Sequence, residues 1–219
     1  APNRRPRMPD LSFEVLGAGA QSFCATPTIL FRLRVSGPDG ELIKGISLET
    51  QVRIEAHARR YNQDEKENLA ELFGEPSRWS QTVRSLLWTH AVTSVPPFTG
   101  SVEVDLPVHC TYDFNVISAK YFYGLEEGKV PLTMLFSGTV FYYGEENQLQ
   151  IERIPWSKEA PFSMPVSTWK DVMQLYYPNT AWLALHQDAF QQLARYKAEN
   201  HFPTFEMAIE GLVKEASRT

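Results

Sequence analysis

Cysteine, histidine and net positive charge are all scarce in this chain. Only Cys24 and Cys110 stand among 219 residues, so at most one cross-link is possible. That count suits two free thiols and a cytoplasmic protein better than the dense disulfide frameworks of small secreted domains. The five histidines include no His-x-x-x-His pair, and no Cys-x-x-Cys occurs. The common zinc patterns are therefore missing. Lys and Arg number 21 against 26 Asp and Glu, a net charge of −5. A general nucleic-acid binder would carry a basic excess instead, so no nucleic-acid partner is expected. No apolar run nears the roughly 20 residues of a membrane-spanning helix, so no membrane span is expected either. Gly17-Ala-Gly-Ala-Gln21 lacks the third glycine and following helix of a dinucleotide fingerprint. Gly-x-Ser-x-Gly, the signature of a nucleophile elbow, is absent. No cofactor is expected.

What the chain does have is period-two patterning. Leu11, Phe13 and Val15 share one face of a first, edge strand. Ile29, Phe31, Leu33 and Val35 alternate with Arg32 and Arg34 in a second. Gly37-Pro-Asp-Gly40 then makes a turn, with proline presetting φ and glycine taking the positive-φ position. From Ile46 to His57, Leu48, Thr50, Val52, Ile54 and Ala56 face inward. Glu49, Gln51, Arg53 and Glu55 face water. Consecutive strands with one wet face each imply antiparallel pairing. Ser101–Phe114 alternates throughout, with Pro107 on its polar side marking an edge or a bulge. Val116–Leu125 reads as a short strand or an irregular segment. Val130–Tyr143, nearly uncharged and rich in β-branched and aromatic residues, reads as the central strand. Leu149–Pro155 pairs with it as a hairpin. One face of the central strand is expected against the opposite strands and the other partly under C-terminal helices. Gly138 leaves room there for a close backbone approach.

Elsewhere the period is helical. Asn62 with Glu65 forms a capping box ahead of Leu69, Leu72 and Phe73. Pro76 opens a second helix with Trp79, Val83, Leu86 and Leu87 as its stripe, giving a helical insertion over about 63–88. Beyond Trp156 helices are expected: one capped by Ser167, one over His186–Asn200, and one capped by Thr204. Strands first and helices afterwards predict an α+β fold: an antiparallel β-sandwich or open sheet, with the helical insertion and with C-terminal helices packed on it. Residues 1–9, with Arg4, Arg5 and Arg7 among prolines, read as a disordered basic arm. They lack the apolar stretch that would follow the basic start of a secretory signal. Residues 10–219 read as a single α+β domain, β-rich over 10–156 and helical over 157–219.

Candidate chemistry is sparse. His109, Tyr112 and Asp113 form the one tight polar cluster, yet His109 and Cys110 point to opposite faces of a strand and cannot share a metal ion without a bulge. No metal site is expected, and Cys110, in register with apolar positions, reads as a core thiol. The pairs Glu126–Glu127 and Glu145–Glu146 fall in turns. The aromatics, 13 Phe, 9 Tyr and 5 Trp, are abundant enough for some to line a surface. Tyr143, Tyr177 and Trp182 are the candidates for protein docking, because exposed Tyr and Trp are favoured at interfaces.

Several stretches carry a further signal: Leu72-Phe-Gly-Glu-Pro76 with Arg78-Trp79, Leu87-Trp-Thr-His90, Val95-Pro-Pro-Phe-Thr-Gly100, Cys110-Thr-Tyr-Asp113, Pro131–Thr139 and Pro155-Trp156. Together they resemble an uncharacterised bacterial family found with gene clusters of actinobacterial-type, high-affinity uptake NiFe hydrogenases. The resemblance implies a non-enzymatic accessory or interaction protein that helps assemble, stabilise or dock such a hydrogenase, with a hydrogenase component as partner. It supplies no catalytic residue. Two alternatives stay open: a chaperone-like module that holds unfolded segments, and an enzyme using His109, Tyr112 and Asp113.

Overall fold

The computed structural model describes residues 8–113, 116–144 and 147–218. Most of the basic arm, Phe114, the Glu145–Glu146 pair and Thr219 lie outside the described residues. The chain divides into two compact units, Ala1–Ala181 and Trp182–Thr219.

The first unit is an antiparallel sandwich. One sheet has the order β1 (Ser12–Ala20), β2 (Thr28–Ser36), β6 (Ser101–His109). The other runs β4 (Leu86–Val95), β3 (Leu42–Ile54), β7 (Lys129–Tyr143). On the far side of β7 lie β8 (Leu149–Arg153) and β9 (Glu159–Pro165). The short β5 (Phe98–Thr99) pairs with the start of β3. β7 is therefore central, and β1 and β6 are edges, as the patterning predicts. Pro107 sits opposite Leu30 on edge strand β6, where its missing N–H costs no ladder hydrogen bond.

The inward sets close the core between the sheets. Ile29, Phe31, Leu33 and Val35 of β2 are buried, as are Leu48, Thr50, Val52 and Ile54 of β3. Phe13 stacks on Phe136 across the sandwich at 4.4 Å, and Phe31 meets Trp88 and Phe162 edge-on. Each such buried side chain contributes roughly 1.5–3 kcal/mol relative to exposure. Thr93 on β4 donates through Oγ1 to the Asp105 carbonyl on β6 at 3.1 Å, which brings those two strands together along one side.

The helical insertion is shorter and more broken than its stripe suggests. It comprises α1 (Gln63–Asn68), α2 (Ala70–Phe73), a turn of 3-10 helix begun by Pro76, and α3 (Trp79–Thr82). The Asn62–Glu65 capping box is present in full. Leu86 and Leu87 are not helical: Val83 turns to extended backbone and β4 begins at Leu86. Three further expectations are corrected. Residues 117–124, read as strand or irregular, form helix α4 (Ile117–Gly124). β6 ends at His109 and does not run on to Phe114. Glu159–Pro165, read as the start of the helical part, is β9, laid against Lys129–Leu135 of β7.

Helix α5 (Val166–Tyr176) packs near β1, β2, β9 and α4. It begins after Pro165, with Ser167 inside its first turn and not at its cap. The outer face of β7 carries Thr133, Leu135, Ser137, Thr139, Phe141 and Tyr143, all half-buried or exposed. The close backbone approach expected at Gly138 is made by β3: a Cβ there would lie 2.0 Å from the Ser47 carbonyl oxygen.

The second unit is a helical hairpin, α6 (Gln187–Glu199) and α7 (Phe205–Ala216). Thr204 caps α7 as expected, its hydroxyl accepting from the Met207 N–H at 3.2 Å.

Candidate functional site

Three places could carry function, and their hydrogen bonding separates them. The first is the His109 region. The Thr28 hydroxyl donates to the Thr26 carbonyl at 2.9 Å and lies 3.0 Å from His109 Nδ1. The Thr26 hydroxyl is 3.4 Å from the same nitrogen. Through these two contacts the ring ties the end of β6 to the start of β2. Tyr112 is engaged elsewhere, stacked on Tyr177 at 5.7 Å and edge-on to Trp169. The Asp113 backbone N–H bonds the Thr111 hydroxyl at 3.1 Å. Cys24 and Cys110 are both free thiols. Burial pushes the Cys110 thiol up to about 12, so it stays protonated and unreactive at neutral pH.

The second place is a depression of about 500 Å³ bordered by Arg60, Asn62, Glu127, Lys129 and Ser163. Its floor is the buried Arg59–Glu65 ion pair, with side chains 8% and 3% exposed. All five Arg59 N–H groups are used. Two go to the Glu65 carboxylate, at 2.8 and 2.7 Å, and three to the carbonyls of Arg60, Glu127 and Lys129. Glu65 also accepts the Asn62 and Glu126 backbone N–H groups. Burial pushes the Glu65 carboxyl up, but these donors and the Arg59 charge outweigh it, and the group is held below its ordinary range. No donor or acceptor of the pair is left over for a ligand, so this is a clamp fastening residues 59–65 to the turn before β7.

The third place is the outer face of the second sheet. Ladder pairing brings Val92, Glu49 and Ser137 into one row and His90, Gln51 and Leu135 into the next. Two adjoining depressions of about 470 and 560 Å³ share Glu49, Ser137 and Trp156. Trp156 is 88% exposed, and a bulge puts it there. Between the pairs Leu135↔Glu159 and Thr139↔Arg153, three residues of β7 face five of the opposite chain. The ladder closes around the excess through Ile154 N–H to Gly138 O at 3.0 Å and Phe136 N–H to Lys158 O at 2.8 Å. A turn bonded from Lys158 N–H to Pro155 O lifts Trp156 clear of the sheet, the re-aiming of a side chain that bulges permit. Along the same face Ile151 lies opposite Phe141 and Leu149 opposite Tyr143. Val92, Leu149 and Ile151 are each more than half exposed.

The three aromatics singled out in the sequence do not share surroundings. Tyr143 lies on this outer face with the Lys44 ammonium 5.0 Å from its ring centre. Tyr177 is half-buried in the stack with Tyr112. Trp182 is exposed and belongs to the second unit. Sequence reading missed Trp156, Val92 and Ile151 as surface residues. The alternation Leu149-Gln-Ile-Glu-Arg153 places Leu149 and Ile151 on one face with Arg153, which was the available signal. Among the described residues no three His, Cys, Asp or Glu side chains converge as a metal site requires.

Residues 8–219, nearly the full length, match the model of a family of unknown function, DUF6084. The chain belongs to that family. No curated protein matches it significantly. Among solved structures it is similar to the CARDB domain of a Pyrococcus furiosus protein in complex with di-metal ions, at 14% identity and TM-score 0.28, covering 71% of this chain and 91% of that one. It is also similar to the Bordetella pertussis protein described as ApaA, at 11% identity and TM-score 0.26 over 73% and 98% of the two chains. A β-glucosidase of Kluyveromyces marxianus matches at 8% identity and TM-score 0.26, over 71% of this chain and 15% of that one. Scores this low carry no argument about fold or function.

Proposed function

We propose that this member of the family is a non-catalytic, cytoplasmic interaction protein that docks a protein partner on the outer face of its second sheet. The partner follows from the resemblance noted in the sequence: a component of an uptake NiFe hydrogenase, which the protein helps assemble, stabilise or dock. The observation that carries the reading is Trp156, raised 88% exposed over a depression it shares with Val92, on the face that also carries Ile151, Leu149 and Tyr143. Exposed Trp and Tyr are the side chains favoured as interface anchors. Glu49, Gln51, His90 and Arg153 line the same depressions and offer polar contacts among the apolar ones.

The test is recovery of hydrogenase subunits on tagged protein from a host that carries the hydrogenase cluster. Wild type and the Ile151→Asp/Trp156→Ala variant are compared, with equal far-UV circular dichroism as the folding control. Wild type retains a hydrogenase subunit, and the variant retains at least tenfold less. Wild type that recovers no hydrogenase subunit refutes the partner. A variant that binds as well as wild type refutes the surface.

A further inference from the structure

The sheet that displays Trp156 also holds a carboxylate that the fold does not use. Elsewhere on the strands most acidic side chains are engaged. Glu14 and Glu103 pair with Arg34, Asp105 pairs with Arg32, and Glu152 accepts from the Tyr142 hydroxyl. Glu49, in the middle of β3, is different. Among the described residues no ion pair or hydrogen bond reaches its carboxylate. The Ser137 hydroxyl, directly opposite on β7, points to the Glu49 carbonyl at 3.5 Å instead. Glu159 is also unengaged, but it lines neither of the two depressions, whereas Glu49 lines both.

The company Glu49 keeps points to one kind of occupant. Trp156 lines the same two depressions and offers an exposed indole, whose negative ring face attracts a cation. Val92 and Leu135 give the first depression an apolar wall, and Gln51 adds an amide oxygen. Among the described residues that lining contains no Lys or Arg. Arg153 borders the second depression and makes no ion pair with Glu49, so the acid is open to a cation from outside. A neutral occupant would cover the carboxylate without pairing it, which costs free energy. An acidic one would be repelled.

We propose that Glu49 and Trp156 accept an arginine side chain presented by the docked partner. Its guanidinium lies on the indole and donates to the Glu49 carboxylate, and its methylene stem runs along Val92 and Leu135. Arginine suits these groups better than lysine. A planar guanidinium stacks on an aromatic ring and meets a carboxylate with two parallel N–H groups, neither of which an ammonium does. Arginine is also enriched among the residues that anchor interfaces. The inference rests on the reading that this face docks a protein, and it adds the chemistry the partner must bring there.

The experiment is a 1H–15N correlation titration of the full 15N-labelled chain with the blocked tripeptide acetyl-Gly-Arg-Gly-amide at neutral pH. The signals followed are the Trp156 indole, assigned by its absence in Trp156→Phe, and the Glu49 and Val92 amides. They are expected to move together and to saturate with a dissociation constant on the order of 1 mM. The citrulline analogue, similar in shape but uncharged, is expected to bind at least tenfold more weakly. Glu49→Gln is expected to weaken the arginine peptide about fivefold. Glu49 is exposed, so this change leaves the fold intact, and the rest of the spectrum checks that. No shift with the arginine peptide, equal binding of the citrulline peptide, or undiminished binding to Glu49→Gln overturns the proposal. Equal binding of the lysine tripeptide overturns the choice of arginine. No hydrogenase component takes part, so this test and the pull-down fail separately. Peptide binding with no hydrogenase subunit recovered discards that partner and keeps the cation site. The reverse keeps the surface and discards the arginine.

Discussion

Replacing Arg59 by leucine isolates the clamp beneath the second sheet. The change removes the guanidinium that neutralises Glu65, whose side chain is 3% exposed. It also strips the donor from the Glu127 and Lys129 carbonyls. Removing one member of a buried ion pair costs about 3–5 kcal/mol, because the remaining charge is stranded away from water. For a chain of this length 1 kcal/mol shifts Tm by about 2–4 °C. Arg59→Leu is therefore expected to lower Tm by roughly 6–20 °C in a thermal melt followed by circular dichroism. Glu65→Leu alone is similarly costly. The Arg59→Leu/Glu65→Leu double variant strands no charge and costs less than the sum, with a coupling of at least about 2 kcal/mol. The recovery is incomplete, since the Asn62 and Glu126 N–H groups lose their acceptor. The pH dependence has a definite sign. The Glu65 carboxyl is held below its ordinary 4.5, so the folded state binds fewer protons there than the unfolded chain. The stability this gives is fully present above about pH 4.5. It is lost as pH falls through the lower folded value. Glu65→Gln should flatten the acid limb of stability in that window. A loss under about 1 kcal/mol for Arg59→Leu, or strictly additive single changes, would refute the clamp.

Two other core positions carry predictions of opposite sign. Gly138 has φ +125° and no room for a Cβ against Ser47, so Gly138→Ala should cost about 3 kcal/mol or more in urea unfolding, backbone strain alone accounting for about 1–3; a loss under 1 kcal/mol would mean β3 can move aside. Thr50 is 1% exposed and its hydroxyl is buried without a partner. Thr50→Val keeps the shape and removes the desolvated oxygen, so it should leave stability unchanged or raise it by about 1 kcal/mol; a clear loss would show that the hydroxyl is satisfied.

The strands that were legible in the sequence are those with one face buried and one wet. β2 and β3 alternate because the sandwich demands it, and their inward sets match residue for residue. Helix α4 was illegible for the complementary reason. Ser118, Ala119, Tyr121, Phe122 and Gly124 are all buried, so it is covered over most of its circumference and no polar stripe remains to show a period of 3.6. β4 was hidden by continuity, since Leu86 and Leu87 extend the spacing of Trp79 and Val83 although the chain has already left the helix. β9 holds Pro161 and Pro165, residues that normally argue against a strand. They are tolerated because β9 pairs only with β7 and keeps its other side off any ladder. Of the candidate surface, Tyr143 was found from the sequence and Trp156 was not. Trp156 owes its exposure to a two-residue excess in the ladder, which has no local signature.

That excess has a consequence for how this surface can change. β8 takes its register from Thr139–Tyr143 and β9 takes its own from Lys129–Leu135. The link between them, Pro155-Trp156-Ser157, sets neither. Its length and composition can therefore drift, or be replaced by a longer loop, while every inward side chain of the sandwich keeps its partner. The region that displays the tryptophan is thus mechanically uncoupled from the sheet that supports it, and recognition can be retuned there with the core left as it is.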